Sequence, residues 1–239
     1  MKASNSTDLY QVLPSNRFEH GYLLLATATG RHWRRFVRRC DGFPKRSLDI
    51  LVSLLALACI LPLGLVLAIL IKLEDRGPVL FFQTRIGRFG RPFRMYKFRS
   101  MRPDAEARLQ ELLGMNEQAA GVTFKLKDDP RITRVGRWLR KFSFDELPQF
   151  YHVLRGEMSI VGPRPPVPRE VKLYSIADRR RLQVKPGITC IWQISGRAEI
   201  DFKGQVELDV RYIETQTLLT DLRIILKTVP AVMSGSGAY

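Results

Sequence analysis

The sequence predicts a small α/β domain tied closely to a membrane segment, and three observations carry this prediction. Residues 50–71, ILVSLLALACILPLGLVLAILI, contain no charged side chain and would reach about 33 Å as a helix, roughly the hydrocarbon thickness of a bilayer. After this segment, short β-rich stretches alternate with amphipathic helical patterns. The 239 residues are 45% hydrophobic and 26% charged, which is typical of a folding chain rather than a disordered one.

The apolar segment has features that argue against a simple crossing. Pro62 lies near its middle, where proline breaks or kinks a helix. Lysine and arginine flank both ends, whereas a single crossing normally shows an asymmetry. We therefore expect a re-entrant helix-break-helix over residues 45–73, and an ordinary kinked transmembrane helix is the alternative. Asp49 should pair with Lys45 or Arg46, because an unpaired carboxylate at that depth is costly.

The charge balance indicates anionic partners. Lys and Arg total 39 against 23 acidic residues, which suits nucleic acid, phosphorylated ligands or an acidic membrane face. Residues 1–44 form a basic lead, and RHWRRFVRRC within it suits an interfacial helix on anionic lipid. A nucleic-acid arm is the competing interpretation, but the position directly before a membrane segment favours lipid. The three cysteines and three histidines lack metal-ligand spacing, so we expect reduced thiols and no zinc site.

The remainder, residues 74–239, reads as mixed α/β. Two strands are predicted over 78–87 and 93–101, with RFGRP as the turn between them. Helices are predicted over 105–118, over 131–142 and after Asp145.

The C-terminal third is predicted to begin with irregular structure and to end in a helix. Residues 155–170 should form a proline-rich loop, and 186–197 should form extended segments bounded by turns. In the final helix, an apolar stripe indicates packing on the core or at the membrane surface. The stripe is Leu218, Leu222, Ile225 and Val229, and the charged residues off it are Asp221, Arg223 and Lys227.

The nonamer FSFDELPQF, residues 142–150, places Asp145 and Glu146 side by side in a chain with a formal net charge of +16. A structural role is one interpretation, because Ser143 and Glu146 fit a capping box and acids are favoured in the first turn of a helix. Alternatively, Asp145 is the N-cap and Pro148 lies in the first turn, where proline costs little. Both registers place the acids at the N-terminus of a helix.

Basic stretches rich in glycine and proline favour a functional role for the acids. They are YKFRSM with Lys97 and Arg99, VGPRPP with Arg164, and SGR with Arg197. Arginine grips phosphate oxygens through two donors at once, and Gly-Pro turns expose backbone N–H groups. One acid would then hold a divalent cation that neutralises a diphosphate, and the other would attack phosphorus. Each arginine taken alone is more typical of a solvated surface.

Taken in order, these motifs resemble the bacterial sugar transferase family, the monotopic polyprenyl-phosphate phosphoglycosyl transferases. The resemblance covers about residues 45–239. It rests on KRSLDI, the apolar segment with Pro62, GPVLFFQTRIGRFGRPFRMYKFRSM, DDPRITRVGRWLRKFSFDELPQFYHVLRGEMSIVGPRP, KPGIT, W-Q-x-S-GR and ELDVRYI.

The resemblance implies a membrane-associated α/β catalytic domain with a re-entrant hairpin and interfacial amphipathic helices, at the cytoplasmic face of the bacterial inner membrane. It implies transfer of a sugar-1-phosphate from a UDP-sugar to undecaprenyl phosphate, with release of UMP and with membrane lipid, not nucleic acid, as a further partner. Mg²⁺ is the implied cofactor, and a homodimer is left open. UDP-glucose or UDP-galactose is the expected donor, and N-acetylated sugars stay open.

The same resemblance assigns roles to individual residues. It implies that Asp145 is the nucleophile and that Glu146, also catalytic, binds Mg²⁺. The implied substrate-binding residues are Lys97, Arg99, Arg164, Arg197 and, in a supporting polar role, Asp209.

The sequence also departs from the family pattern. Many members have serine before the proline of the break, where this chain has Leu61, and this affects the local hydrogen bonding rather than the break itself. ELDVRYI and GSGAY are more similar to large, exopolysaccharide-type members, which carry further membrane helices before this core. A natural short form and a truncated one both stay open. Two other functions also stay open: a membrane-tethered module that binds anionic ligands, and a direct glycosyltransferase that releases UDP.

Overall fold

The computed structural model describes residues 42–105, 107, 108, 126, 129–196 and 200–234. These residues form a mixed α/β arrangement, as the sequence predicted. The helices are α1 (Phe43–Asp75), α2 (Arg134–Lys141), α3 (Gln149–Arg155), α4 (Pro168–Lys172), α5 (Phe202–Thr215) and α6 (Leu218–Ser234). The strands are β1 (Leu80–Ile86), β2 (Pro92–Phe98), β3 (Ser159–Val161) and β4 (Gly187–Thr189).

Helix α1 contains the whole apolar segment. It begins with Pro44 in its first turn, where proline is tolerated, and ends at Arg76, which takes a left-handed conformation with φ of 55°. Pro62 lies inside the helix, so the structure has one helix where we predicted a broken one. Its most apolar 18-residue window has a mean hydropathy of 3.0, and 11% of that window is buried. The helix is therefore long and apolar enough to cross a membrane by length and composition alone.

One stripe of α1 packs on the rest of the protein along its length. Asp49, Ser53, Leu67 and Ile71 are buried, and at 100° per residue these four positions share one face. Much of the remaining surface is exposed leucine, isoleucine and valine. Examples are Leu51, Leu54, Leu55, Leu61, Leu65, Val66, Ile69 and Leu73.

Polar contacts fasten the first turns of α1 to the domain. Asp49 Oδ1 accepts hydrogen bonds from Ser159 Oγ and from the Ile160 N–H, both at 3.0 Å. Lys45 instead pairs with Asp221, and Arg46 donates to the carbonyls of α3. Asp49 is therefore satisfied mainly by β3, whose donors sequence spacing cannot reveal, and among the described residues it forms no ion pair with Lys45 or Arg46, the two cations predicted to be within its reach.

Strands β1 and β2 form the predicted hairpin. They pair antiparallel, with Gln83 opposite Met95 and Phe81 opposite Lys97. A 3₁₀ turn joins them, in which Phe89 has φ of 57°. Because residues opposite each other share a face, Arg85 lies on the same face of the hairpin as Lys97.

Strands β3 and β4 are parallel, and their backbones continue in contact beyond the strands. Gly162 N–H donates to Thr189 O at 3.0 Å, and Gly187 N–H donates to Pro163 O at 2.9 Å. A Cβ on Gly187 would lie 2.1 Å from Gly162 N, closer than real atoms approach. The GPRP motif, predicted within a loop, and the KPGIT motif, predicted to be extended, therefore pack backbone to backbone and need glycine to do so.

Helix α6 turns most of its apolar stripe away from the core. Leu218, Leu222 and Val229 are exposed, whereas Asp221 and Ile224 are buried. Of the stripe, Ile225 alone among these described residues packs on the core, so packing on the core holds for one of its four members, and Asp221 takes an inward position. Its carboxylate accepts hydrogen bonds from the Lys45 ammonium and from the Tyr212 hydroxyl.

The predicted interfacial helix before residue 42, most of the predicted helix over 105–118 and Arg197 lie outside the described residues.

Candidate active site

The acid pair lies in a single tight turn ahead of α3. Ser143 takes a left-handed conformation with φ of 56°, and a 3₁₀ turn follows over Phe144–Glu146. Helix α3 begins only after Pro148, its N-cap. Both predicted helix registers were wrong, because Ser143 makes no side-chain cap and its carbonyl accepts from the Glu146 N–H instead. In this turn, neither Asp145 nor Glu146 caps a helix.

Lys97 is the cation that faces both acids. Its Nζ lies 2.7 Å from Glu146 Oε1 and 3.8 Å from Asp145 Oδ2. Asp145 is only 8% exposed, and burial raises its pKa while Lys97 opposes that rise. Burial also acts to raise the pKa of Glu146, but Lys97 together with Arg164 and Arg85 outweighs it, and the net pKa is lowered. The pKa values of the two adjacent carboxyls are thus shifted in opposite directions, as groups with different roles require.

His152 ties the strand that carries Lys97 to the helix that follows the acids. This fully buried imidazole accepts from the Tyr96 N–H at 3.0 Å through Nε2, and its Nδ1 lies 2.6 Å from Glu157 Oε2. Because Tyr96 precedes Lys97 in β2, this bond sets the position of Lys97 relative to α3.

A pocket of about 250 Å³, partly open to solvent, lies next to the acid turn. Its wall combines cationic and amide side chains with a short apolar edge, a composition suited to a phosphorylated ligand. The lining residues are Arg85, Met95, Lys97, Glu146, Gln149, Arg164, Pro165, Gly187, Ile188 and Gln193.

The structure brings together four of the predicted site residues. Lys97, Asp145 and Glu146 form the cluster described above. Arg164 reaches the same pocket from the loop after β3, and its Nη1 lies 3.2 Å from Glu170 Oε2. That carboxylate also accepts a hydrogen bond from the Val167 N–H at 3.0 Å. Glu170 therefore fixes the position of Arg164 relative to the backbone of the same loop.

Arg99 is placed differently. Its guanidinium makes a two-pronged pair with Asp75 at the end of α1 and donates to the carbonyls of Pro78 and Met101. Most of its donors are therefore engaged in joining α1 to β2, and the pocket wall does not include it. Its predicted contact with substrate stays a prediction.

Asp209 also has a structural partner. It is 1% exposed and pairs with Arg181, which also donates to the Tyr174 hydroxyl at 3.2 Å. Burial raises the pKa of Asp209, and Arg181 opposes the rise. The pair joins α5 to the 3₁₀ segment before β4, and the predicted supporting role of Asp209 in substrate binding stays a prediction.

Three pocket residues were missed in the sequence. Arg85 was counted only among the basic flank of the apolar segment, although the hairpin register places it on the face of Lys97. Gln149 lies in FSFDELPQF and Gln193 in W-Q-x-S-GR, but no role was predicted for either side chain. Strand alternation was the available signal for Arg85, but using it required the register, which the turn decides.

The acid turn fits a magnesium ion. Adjacent carboxylates supply hard oxygen ligands, and proteins commonly bind Mg²⁺ through one or two carboxylates plus substrate phosphates. Glu146 already attracts a cation, since the Lys97 ammonium is within 2.7 Å. Among the described residues no third His, Cys, Asp or Glu joins the cluster, so water and substrate oxygens would complete the shell.

Comparison with known proteins places the chain in a family. The sequence pattern of the bacterial sugar transferases matches residues 40–235. The chain is 51% identical over 207 residues to the galactosyl transferase CpsE of Streptococcus agalactiae, covering 85% of this chain and 45% of that protein. It is 44% identical over 206 residues to the exopolysaccharide production protein ExoY of Sinorhizobium fredii, covering 85% of this chain and 91% of that protein.

A third relative has a name that states its reaction. The undecaprenyl-phosphate galactose phosphotransferase of Salmonella typhimurium is 41% identical over 234 residues, covering 97% of this chain and 48% of that protein. The chain thus spans about half the length of two of these relatives and nearly all of ExoY. The extent of these matches and the family pattern lead to one conclusion: the chain belongs to the bacterial sugar transferase family.

Proposed function

We propose that the chain transfers a sugar-1-phosphate from a UDP-sugar to undecaprenyl phosphate and releases UMP. The observation that carries this proposal is the buried carboxyl of Asp145, which lies 3.8 Å from the Lys97 ammonium and next in the chain to Glu146, two residues that line a cationic pocket. A buried carboxylate beside a phosphate-binding pocket is suited to attack on phosphorus. Names of relatives support the reaction class, since they include galactose, glucose and N-acetylgalactosamine phosphotransferases that use undecaprenyl phosphate.

The reaction proceeds in two displacements at the sugar-bearing phosphorus. In the first, an Asp145 oxygen forms a bond to that phosphorus while the bond to the bridging oxygen breaks, and UMP leaves with the electron pair. In the second, a phosphate oxygen of undecaprenyl phosphate attacks the aspartyl phosphosugar and releases the carboxylate. Neither displacement requires a net proton transfer. Lys97 neutralises the charge that gathers around the acid pair, and Arg164 binds phosphate oxygens.

Magnesium is part of the proposal. Glu146, with Asp145 beside it, would hold the ion, which would supply charge neutralisation for the diphosphate. The role of Lys97 is then to hold Glu146 ionised and oriented, in agreement with the lowered pKa of that carboxyl.

The membrane arrangement supports a lipid acceptor. Near the start of α1, Asp49 contacts β3, and near its end Glu74 accepts from the Arg134 and Val135 N–H groups of α2. A domain on one side of a bilayer can contact both ends of a helix only when both ends are on that side. We therefore propose that α1 enters the membrane without crossing it, at the cytoplasmic face of the inner membrane.

The test follows UMP release from a panel of UDP-sugars. Purified protein is incubated with UDP-galactose, UDP-glucose or UDP-N-acetylgalactosamine, undecaprenyl phosphate and Mg²⁺. We expect UMP from at least one donor, and an added sugar phosphate on Asp145 by mass spectrometry when the acceptor is omitted. Asp145→Asn should release none.

Other products would contradict the proposal. UDP as the product would indicate direct glycosyl transfer, in which the diphosphate stays intact. Donor binding without turnover, equal in wild type and Asp145→Asn, would indicate a binding module. Full turnover with an unmodified Asp145 would rule out the covalent intermediate.

A further inference from the structure

Arg85 is a buried cation in the pocket wall that forms no ion pair with the described residues, although Glu170 and Glu146 act on it from a greater distance. It is 8% exposed, and its Nη1 and Nη2 donate to Pro165 O at 2.8 Å and to Gln83 Oε1 at 2.6 Å. Its buried Nε makes no hydrogen bond in the described part of the chain. Both of these acceptors are neutral, so they orient the guanidinium without cancelling its charge.

The carboxylates nearest the pocket are paired with cations other than Arg85. Burial, followed by the neighbouring Arg164 guanidinium, lowers the pKa of Arg85 to about 9. Arg164 has its own carboxylate in Glu170, and Lys97 has Glu146. A charge buried without a counterion is costly unless a bound anion completes the site. The pocket is therefore built to receive an anion at Arg85.

The hairpin register indicates which anion this is. Lys97 is opposite Phe81, and Arg85 lies four residues further along β1 on the same face, a separation of about 13 Å between backbones. Lys97 contacts the acid pair at one end of this line, where the sugar-bearing phosphorus must lie for attack. Both side chains line the same pocket, so a diphosphate whose sugar-bearing phosphorus lies at the acid pair would extend its second phosphate, the one joined to the nucleoside, toward Arg85.

We propose that Arg85 binds the phosphate of the departing nucleotide. As the aspartyl oxygen bonds to the sugar-bearing phosphorus, the bridging P–O bond breaks and its electron pair stays on the nucleotide phosphate. A fixed guanidinium stabilises that growing charge, and its unused Nε–H supplies one donor. This assignment rests on the proposed function, because it takes UMP as the leaving group.

The experiment compares the binding of UMP with that of uridine, which lacks the phosphate. Full-length protein in detergent or nanodiscs is titrated calorimetrically with each compound. Arg85→Gln should weaken UMP binding by roughly 10- to 100-fold, the range for a lost hydrogen bond to a charged group, and leave uridine unchanged. The matched control is Arg94→Gln, because Arg94 is an exposed cation of the same hairpin, stacked on Phe82.

Arg85→Lys is a second test variant, and it retains the positive charge. It should bind UMP several-fold more weakly than wild type, since an ammonium cannot reproduce the fixed guanidinium fork, again with uridine unchanged. Thermal unfolding of each variant checks the fold.

The assignment is overturned if Arg85→Gln leaves UMP binding unchanged, or if it weakens UMP and uridine equally. Its failure can be told apart from failure of the proposed function. Turnover with UMP release by wild type, together with an unaltered UMP affinity in Arg85→Gln, removes only the role of Arg85. Release of UDP by wild type removes the proposed function, and the role of Arg85 as a leaving-group ligand with it.

Discussion

Asp145 and Glu146 differ by one position in the chain but occupy different electrostatic environments. Asp145 is buried, and its desolvation outweighs the attraction of Lys97, so its pKa is raised. Glu146 forms the closer contact with that lysine, and its pKa is lowered. A carboxyl that is costly to ionise is a stronger nucleophile once ionised, whereas one that is held ionised is suited to bind a cation.

The raised pKa of Asp145 predicts that its substitution preserves or increases stability. The folded protein binds a proton at Asp145 more tightly than the unfolded chain does, so ionisation near pH 7 opposes folding. Asp145→Asn removes that charge, and its midpoint of thermal unfolding should equal or exceed that of wild type at pH 7.5. Near pH 4 the difference should shrink. A midpoint several degrees lower at pH 7.5 would instead indicate that the carboxylate holds the turn together.

The contact of Lys97 with Asp145 predicts the position of the acid limb of the pH–rate profile, the range in which activity falls at low pH. In the proposed mechanism Asp145 is inactive when protonated, so activity should fall as the pH drops through its raised pKa. Lys97→Met removes the cation that opposes this rise, so the limb should move to higher pH, with the rate at the optimum at least about 100-fold lower. Measurement of kcat/KM against pH tests both, with the exposed Lys141→Met as the control. An unshifted limb would show that Lys97 does not act on this carboxyl.

At the level of elements, the site depends on two close contacts that fix where loops go. The parallel pair β3–β4 brings the GPRP loop against KPGIT through hydrogen bonds on both sides. Arg164 and Gly187 reach the pocket from these two loops. The hairpin supplies Lys97 from the opposite side, positioned by the His152 bond to the Tyr96 N–H.

Gly187→Ala is predicted to be strongly destabilising. Its Cβ would lie 2.1 Å from Gly162 N and 2.6 Å from Gly162 O, and backbone atoms in a hydrogen-bonded pair cannot move aside cheaply. A loss of about 2–4 kcal/mol is expected, measured by denaturant or thermal unfolding in detergent. Gly64→Ala is the control, since its Cβ meets only the Phe98 ring at an ordinary 3.5 Å. Equal stability of the two variants would contradict the close approach.

At the scale of the whole molecule, two apolar surfaces are left without a protein partner among the described residues. One is the outward face of α1, with Leu61 at 78% and Leu73 at 76% exposure. The other is the stripe of α6, with Val229 at 61%. Lys45 pairs with Asp221 at 2.8 Å and so joins the two helices directly. Surfaces of this kind suit contact with lipid.

The topology of α1 can be tested by thiol labelling. Single cysteines at Phe43→Cys and Leu73→Cys, both at exposed positions, are made in a background with Cys40, Cys59 and Cys190 replaced by serine. Since both helix ends contact the same domain, both sites should react with a membrane-impermeant reagent in inside-out vesicles. Both should be protected in intact spheroplasts. Opposite accessibility of the two sites would establish a crossing helix.

Local patterns were sufficient for several parts of the molecule. The hairpin, the helix starting after Thr133, the final helix and the apolar segment were all predicted, because propensity and periodicity act over neighbouring residues. The identity of the acid pair also followed from a short motif. Its conformation did not, since the 3₁₀ turn packs against β2 and α2, and contacts of this kind are not local.

The sequence by itself determined the family, the long apolar segment and the motif that holds the acid pair, because composition and motif order are properties of the chain. Only the tertiary structure decided that Arg99 and Asp209 are tied to Asp75 and Arg181, and that Arg85 faces the pocket. Strand register, burial and pairing across long separations select among chemically equal cations. No local pattern encodes that choice, because the free energy of a buried charge depends on neighbours that the fold alone brings near.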